Sequence, residues 1–290
     1  MQWCALDWKY IIIVVKTKSY NLGIDTALFM GKHEIKEENT MYDDKKQSGF
    51  TLVEIAIVLV IIGLLLGGIL KGQELINSAR VRNMADQNSG IQAAYFGFID
   101  RYRQVPGDWA AAAAAQAIGD VTVTLGGNGN GRIDNTLAEA AGVFSQLAKS
   151  NFLGGGFTPA VAAPANEAAY IAAQASPINA FNGSLVLTRN QGYSGTASIR
   201  LNLHMGVNVP VSIARELDIK VDDGLPNTGV LRMTIADGDG IFDTGFVTQL
   251  VGCTAAAGAN APGFAAGANA ATDVFDIFDD FQDCGQVFVY

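Results

Sequence analysis

Acidic residues spaced by glycines are the first place in this 290-residue sequence where side chains could do chemistry. Asp237, Asp239 and Asp243 fall in the run Asp-Gly-Asp-Gly-Ile-Phe-Asp, and alternating oxygen donors with glycines let a tight loop aim carboxylates at a hard cation such as calcium. The chain after Arg232 holds eight Asp and no Lys or Arg, so repulsion there is relieved only by a cation or by solvation. The expectation is one weakly held calcium ion on Asp237, Asp239 and Asp243, with Asp222 and Asp223 of the segment Asp-Asp-Gly-Leu-Pro-Asn-Thr-Gly as further ligands. A second run, residues 128–134, follows the same template but brings only the carboxylate of Asp134, and it reads as a pair of Asn-Gly turns. Neither run is an EF-hand, because the third acidic position before the glycine and the closing Glu are missing.

Other chemistry is thinly supplied. His204 sits in the strand-like run Leu-Asn-Leu-His-Met with no Ser, Cys or carboxylate at a telling spacing, which reads as a structural histidine. No Gly-x-Ser-x-Gly, phosphate-binding loop or His-Glu-x-x-His occurs, so no enzyme is expected. Three cysteines and two histidines, with no Cys-x-x-Cys pair, exclude a structural zinc framework. With 19 Lys and Arg against 28 Asp and Glu, the net charge is −9, and direct nucleic-acid binding is not expected. Charged residues are only 16% against 49% hydrophobic, which excludes a disordered or supercharged chain.

One carboxylate stands in the wrong solvent. Residues 50–70 are apolar or small except for Thr51 and Glu54, and at 1.5 Å per residue they extend about 31 Å, enough to cross a bilayer core. A carboxylate inside such a helix costs at least a few kcal/mol and calls for a partner, yet no Lys, Arg or His lies in the span. A cut after Gly49 would supply one, since the new α-amine of Phe50 is a positive charge one turn from Glu54. The flanks do not set the orientation: Lys45 and Lys46 adjoin Asp43 and Asp44, while Lys71, Arg80 and Arg82 lie on the other side.

Lys45-Lys46-Gln47-Ser48-Gly49 followed by Phe50-Thr51-Leu52-Val53-Glu54 resembles the processing signature of the type IV prepilin family. The resemblance implies that a membrane prepilin peptidase cuts between Gly49 and Phe50 and methylates the new amine. It also implies that Glu54 is read by the Phe50 amine of a neighbouring subunit during assembly. Residues 1–49 then form the leader, of which 1–40 are expected to be an over-extended start, with Met41 as the true start and Met30 as the runner-up. Cys4 is lost with the leader, leaving Cys253 and Cys284 as an even pair in an exported domain; a disulfide is expected, in keeping with the C-terminal Cys-Cys loop that the resemblance implies. Members of the family commonly carry Pro where this chain has Lys71.

These residues need a frame. The resemblance implies a pilin-like α+β fold: a long N-terminal helix, half transmembrane, packed against an antiparallel β-sheet head. The residues agree, since Leu75, Ala79, Ile91, Ala94, Tyr95, Phe98 and Tyr102 extend a helical pattern until Pro106-Gly107 stops it. Residues 50–103 therefore read as one helix about 80 Å long, and residues 50–106 as span and stalk. Within it Gly63, Gly67, Gly68 and Gly72 fall at spacings that permit close helix approach in lipid. In the extracytoplasmic head, residues 107–290, helices are predicted over 109–117 with Asp108 as cap, over 144–148, and from Pro210 to about Asp218. Strands are predicted over 184–188, 196–203, 230–235 and 287–290, and an Ala/Gly-rich exposed loop over 255–271.

Three readings share this frame. The first is a structural subunit of a type IV pilus or related helical filament, cut after Gly49 and assembled through its apolar helix, with no cofactor required. The second is a pseudopilin of a type II secretion system. The third is a minor tip subunit with a calcium-dependent adhesive or binding head. All three share partners: the prepilin peptidase, copies of the chain or other pilins, inner-membrane assembly machinery, and membrane lipid before assembly. They also share a location in the bacterial inner membrane first, and then in a periplasmic or cell-surface filament.

Overall fold

A computed structural model describes residues 51–196, 198–235, 253–255, 273–277 and 281–290. The chain divides into two units, Met1–Ile55 and Ala56–Tyr290. Residues 1–50, including the Gly49/Phe50 junction, lie outside the described residues, as do Asp237, Asp239, Asp243 and residues 256–272 of the expected Ala/Gly loop.

Helix α1, Leu52–Tyr102, runs for 51 residues, within two residues of the predicted bounds at each end. Its buried side chains are Val81, Met84, Ile91, Ala94 and Phe98, spaced so that they fall on one face of a 3.6-residue helix. Leu75 and Ala79, expected on that stripe, are exposed; the first residue of the helix to be fully buried is Val81. A helical pattern states which face is apolar but not how far along it a partner reaches. The predicted core packing of Tyr95, Phe98 and Tyr102 is found: Phe98 is fully buried, and the two tyrosines are partly buried against the same core.

The head opposes α1 with a four-stranded antiparallel sheet. Its strands are β1 (Val186–Asn190), β2 (Arg200–His204), β3 (Leu231–Met233) and, at the C-terminus, β6 (Gln286–Val289), in the order β1-β2-β6-β3. The last strand therefore enters the middle, with Leu203 opposite Phe288 and Leu231 opposite Phe288 on its other side. Leu187, Leu203, Leu231 and Phe288 share one core with Ile91, Ala94 and Phe98 of α1, so the long helix packs on the sheet as expected. Two short strands, β4 (Thr254–Ala255) and β5 (Val274–Phe275), form a separate antiparallel pair.

Among the described residues, the four helices of the head follow their local signals unequally. Helix α2, Ala111–Ile118, starts two residues later than predicted, and no side chain caps it. Asp108, the expected cap, is buried and accepts instead from the backbone N–H groups of Gly129 (2.8 Å), Asn130 (3.1 Å) and Gly131 (2.7 Å). Helix α3, Leu137–Lys149, is much longer than the predicted 144–148, and residues 139–147 are all buried. Thr136 caps it by accepting from Glu139 N at 3.3 Å, and Gln146 ties it to the preceding segment through Trp109 O, Leu125 O and Gly107 N. Gly107, at φ +86, allows this approach, because a Cβ there would lie 2.5 Å from Val143 Cγ2. Helix α4, Glu167–Ala172, capped by Asn166, was not predicted. Helix α5, Val211–Val221, opens after Pro210 as predicted and runs three residues past Asp218.

Candidate functional site

Chemistry at the N-terminal segment starts with an apolar surface that no other described residue covers. Fourteen large aliphatic side chains between Leu52 and Leu70 are exposed, and at roughly 1.5–3 kcal/mol each their transfer out of water amounts to roughly 20–40 kcal/mol. Helix α1 is long and apolar enough to cross a membrane: its most apolar 18-residue stretch has a mean hydropathy of 2.8 and no part of it is buried inside the protein. Lipid, or the same segment of other subunits, is the environment that accepts such a surface.

Glu54 lies at the start of this segment in an arrangement that spacing alone could have revealed. Thr51-x-x-Glu54 is a capping box: Glu54 Oε2 accepts from Thr51 N at 2.8 Å and from Thr51 Oγ1 at 2.9 Å, and Thr51 Oγ1 accepts from Glu54 N at 3.3 Å. The carboxylate is thus held at the N-terminal end of the helix, where the dipole favours negative charge. These hydrogen bonds do not neutralise it, and an amine carried on residue 50 would be close to it in sequence. Gly49 and Phe50 are not among the described residues.

The cysteine pair is joined: Cys253 and Cys284 form a disulfide with Cα atoms 5.9 Å apart. Both residues are buried, and Cys284 pairs through its backbone with Val209. The bond links the residue before β4 to the approach of β6, tying the β4–β5 pair to the segment that leads into a central strand of the sheet.

His204 is structural in its surroundings. It ends β2, fully buried, with Nε2 at 3.2 Å from Asn190 Nδ2 and 3.3 Å from Asn190 Oδ1, while Asn202 Nδ2 donates to Asn190 O at 2.9 Å. Burial pushes its pKa down to about 3, so the ring is neutral.

The 128–134 run is a set of turns, as read from sequence. Asn128 Nδ2, Asn130 Nδ2 and Arg132 Nε all donate to the Asp134 carboxylate, which these bonds, Arg132 first, hold below the usual range.

Asp222 and Asp223 do come together with a third carboxylate, which was missed. One oxygen each from Asp218, Asp222 and Asp223 lies within 4.8 Å of the others. Asp218 is in the last turn of α5, and its four-residue spacing to Asp222 was the signal available. Burial first, then Asp223 and Asp222, push the Asp218 carboxyl up to about 7, against the opposing hydrogen bond from Gly224 N.

Residues 44–70 match the family model described as Prokaryotic N-terminal methylation motif. No curated protein and no solved structure matches the chain. The matched stretch takes in the Gly49/Phe50 junction, Glu54 and the exposed apolar part of α1, and it stops short of the head. Together with a long apolar helix packed at its far end on an antiparallel sheet, this prepilin-type motif supports a type IV pilin-like protein, made as a membrane-anchored precursor for a pilus-type filament.

Proposed function

We propose that the chain is a shaft subunit of a type IV pilus, cut between Gly49 and Phe50 by a prepilin peptidase and methylated on the new Phe50 amine. One observation carries this reading: the methylation motif at 44–70 is continuous with an apolar helical surface that is exposed from Leu52 to Leu70 among the described residues. Moving that surface from lipid into a bundle of identical helices changes its apolar burial little, because lipid tails are as apolar as leucine. Packing and charge must then drive assembly. A carboxylate at Glu54 meeting the Phe50 amine of the next subunit supplies the charge term and explains why an expensive residue sits in the span. Gly63, Gly67, Gly68 and Gly72 have nothing within 4 Å of a would-be Cβ, so they are open to close approach by neighbouring helices.

The test is mass spectrometry of protein extracted from cells, combined with electron microscopy of their surface. A mature chain starting at methylated Phe50, together with filaments containing it, is the expected result. A mature chain that retains residues before Phe50 refutes the processing. Correct processing without surface filaments, accompanied by loss of protein export when the chain is deleted, refutes the pilus and selects the pseudopilin.

A further inference from the structure

We propose that Asp218, Asp222 and Asp223 form a calcium site at the C-terminal end of α5, one that needs no ligand from the Asp237, Asp239 and Asp243 run and is independent of the filament reading. Three carboxylate oxygens within 4.8 Å of one another fit a single oxygen shell of radius about 2.4 Å. Proximity of acids alone would not suffice, since solvated acidic turns are common. The second observation is Asp218 Oδ2, which is buried and has no hydrogen-bond partner. Four other oxygens of the cluster have backbone or hydroxyl donors: Asp218 Oδ1 accepts from Gly224 N, Asp222 Oδ2 from Val230 N and Leu231 N, Asp223 Oδ1 from Leu225 N, and Asp223 Oδ2 from Thr228 Oγ1. A buried carboxylate oxygen left bare is costly, and here its side chain stands beside two further carboxylates.

The surrounding field favours a cation. The last turn of α5 presents the negative end of its dipole to this place. Lys220, the basic residue of that turn, is turned to Glu216 Oε1 at 2.7 Å and to Ser78 Oγ at 3.3 Å. Arg232 Nε donates to Gly229 O at 2.9 Å, and its Nη1 donates to Ser194 O at 3.3 Å. Among the described residues, no Lys or Arg forms an ion pair with any of the three aspartates. Calcium suits the place better than magnesium. The carboxylates are already committed to backbone donors, and calcium tolerates irregular shells whereas magnesium demands a near-ideal octahedron. Asp223 is exposed and Asp222 half-buried, so waters can complete the shell from one side.

The experiment uses the full chain in detergent, stripped with chelator and then titrated with calcium chloride while its melting is followed. With three carboxylates and no bidentate closing Glu, a dissociation constant on the order of 0.1–1 mM is expected. Melting should then rise by roughly 5 °C between chelator and 10 mM calcium, and by much less with magnesium. Asp218→Asn and Asp223→Asn should each weaken the response at least tenfold in calcium concentration, while Asn at 237, 239 and 243 together should leave it in place. A response kept by Asp223→Asn, or absent from the wild type, overturns the proposal and leaves Asp218 Oδ2 to a proton. Should Asp218→Asn fail to fold, the exposed Asp223→Asn decides alone.

Discussion

Acidification tests the reading of His204 as a buried neutral ring, and its size follows from the structure. An imidazole with pKa about 3 in the folded head meets an unfolded value of about 6.5. Above pH 6.5 the ring is neutral in both states and contributes no pH dependence. Below it, the unfolded chain binds a proton that the folded head refuses, so stability falls as pH falls, until the folded ring also titrates near pH 3. Between pH 7 and pH 5 the difference comes to about 2 kcal/mol, from 1.36 kcal/mol per unit over about 1.5 units. Asp218 acts with the opposite sign, because its carboxyl is raised to about 7 and the folded head gains a proton over the same interval. The wild-type curve alone is therefore uninformative. The informative quantity is the difference between wild type and His204→Gln, which keeps a polar side chain near Asn190 and does not titrate. Urea unfolding of both proteins in detergent at pH 7 and pH 5, followed by far-ultraviolet circular dichroism, should show the wild type losing about 2 kcal/mol more than the variant. Equal losses would mean that the folded ring takes up its proton near pH 6.5, and the argument from burial would fail.

Three other perturbations address separate parts of the molecule. Glu54→Ala should leave cleavage after Gly49 intact and abolish or slow incorporation into filaments, since it removes the carboxylate while leaving the junction untouched; normal filament yield from this variant would remove the charge-pairing role. Replacing Cys253 and Cys284 by Ser should destabilise the head by about 2–4 kcal/mol in urea unfolding, because the bond closes a loop with a sequence separation of 31; an unchanged midpoint would contradict this. Phe98→Ala should cost about 3–5 kcal/mol, as the ring is fully buried and lies 4.7 Å from Tyr102, 6.0 Å from Trp109 and 6.1 Å from Phe152 between centroids. A loss below 1 kcal/mol would show that the contact between α1 and the head is loose.

What could be read from the sequence depended on whether the signal was local. Helix α1 was legible because an apolar run of bilayer length leads into a helical pattern from Leu75 to Tyr102, and β3, β6 and α5 were near their predicted places because of local signals too: β-branched runs and a proline at a helix start. Helix α3 was reduced to its last turns because a helix buried all round, from Glu139 to Leu147, has no polar face to mark a period. Its N-terminus did carry a mark, Thr136-x-x-Glu139, the same spacing as Thr51-x-x-Glu54. Asp108 failed as a cap for a non-local reason: its carboxylate is taken by backbone groups more than twenty residues further on, which no window around α2 contains.

The fate of Asp108 bears on how the surplus of acid in this chain should be weighed. A net charge of −9 invites cations, yet several carboxylates are already occupied by backbone N–H groups: Asp108 by residues 129–131, Glu139 by Asp134 N at 2.6 Å, Asp223 by Leu225 N, and Asp222 by Val230 N and Leu231 N. Turns rich in glycine bend their amides inward, and a carboxylate serves them as an anion serves a nest. Gly229 shows how closely this is built, for at φ +73 a Cβ would fall 1.8 Å from Asp222 Oδ2. Negative charge of this kind is consumed inside the fold, so acidic composition alone overstates the demand for metal. The distinguishing feature is a buried carboxylate oxygen that no amide or hydroxyl reaches, and in the cluster at the end of α5 that oxygen is Asp218 Oδ2. Charge counting gives the sign of the field, but only the hydrogen-bond inventory separates the acid that builds turns from a carboxylate oxygen left without a donor.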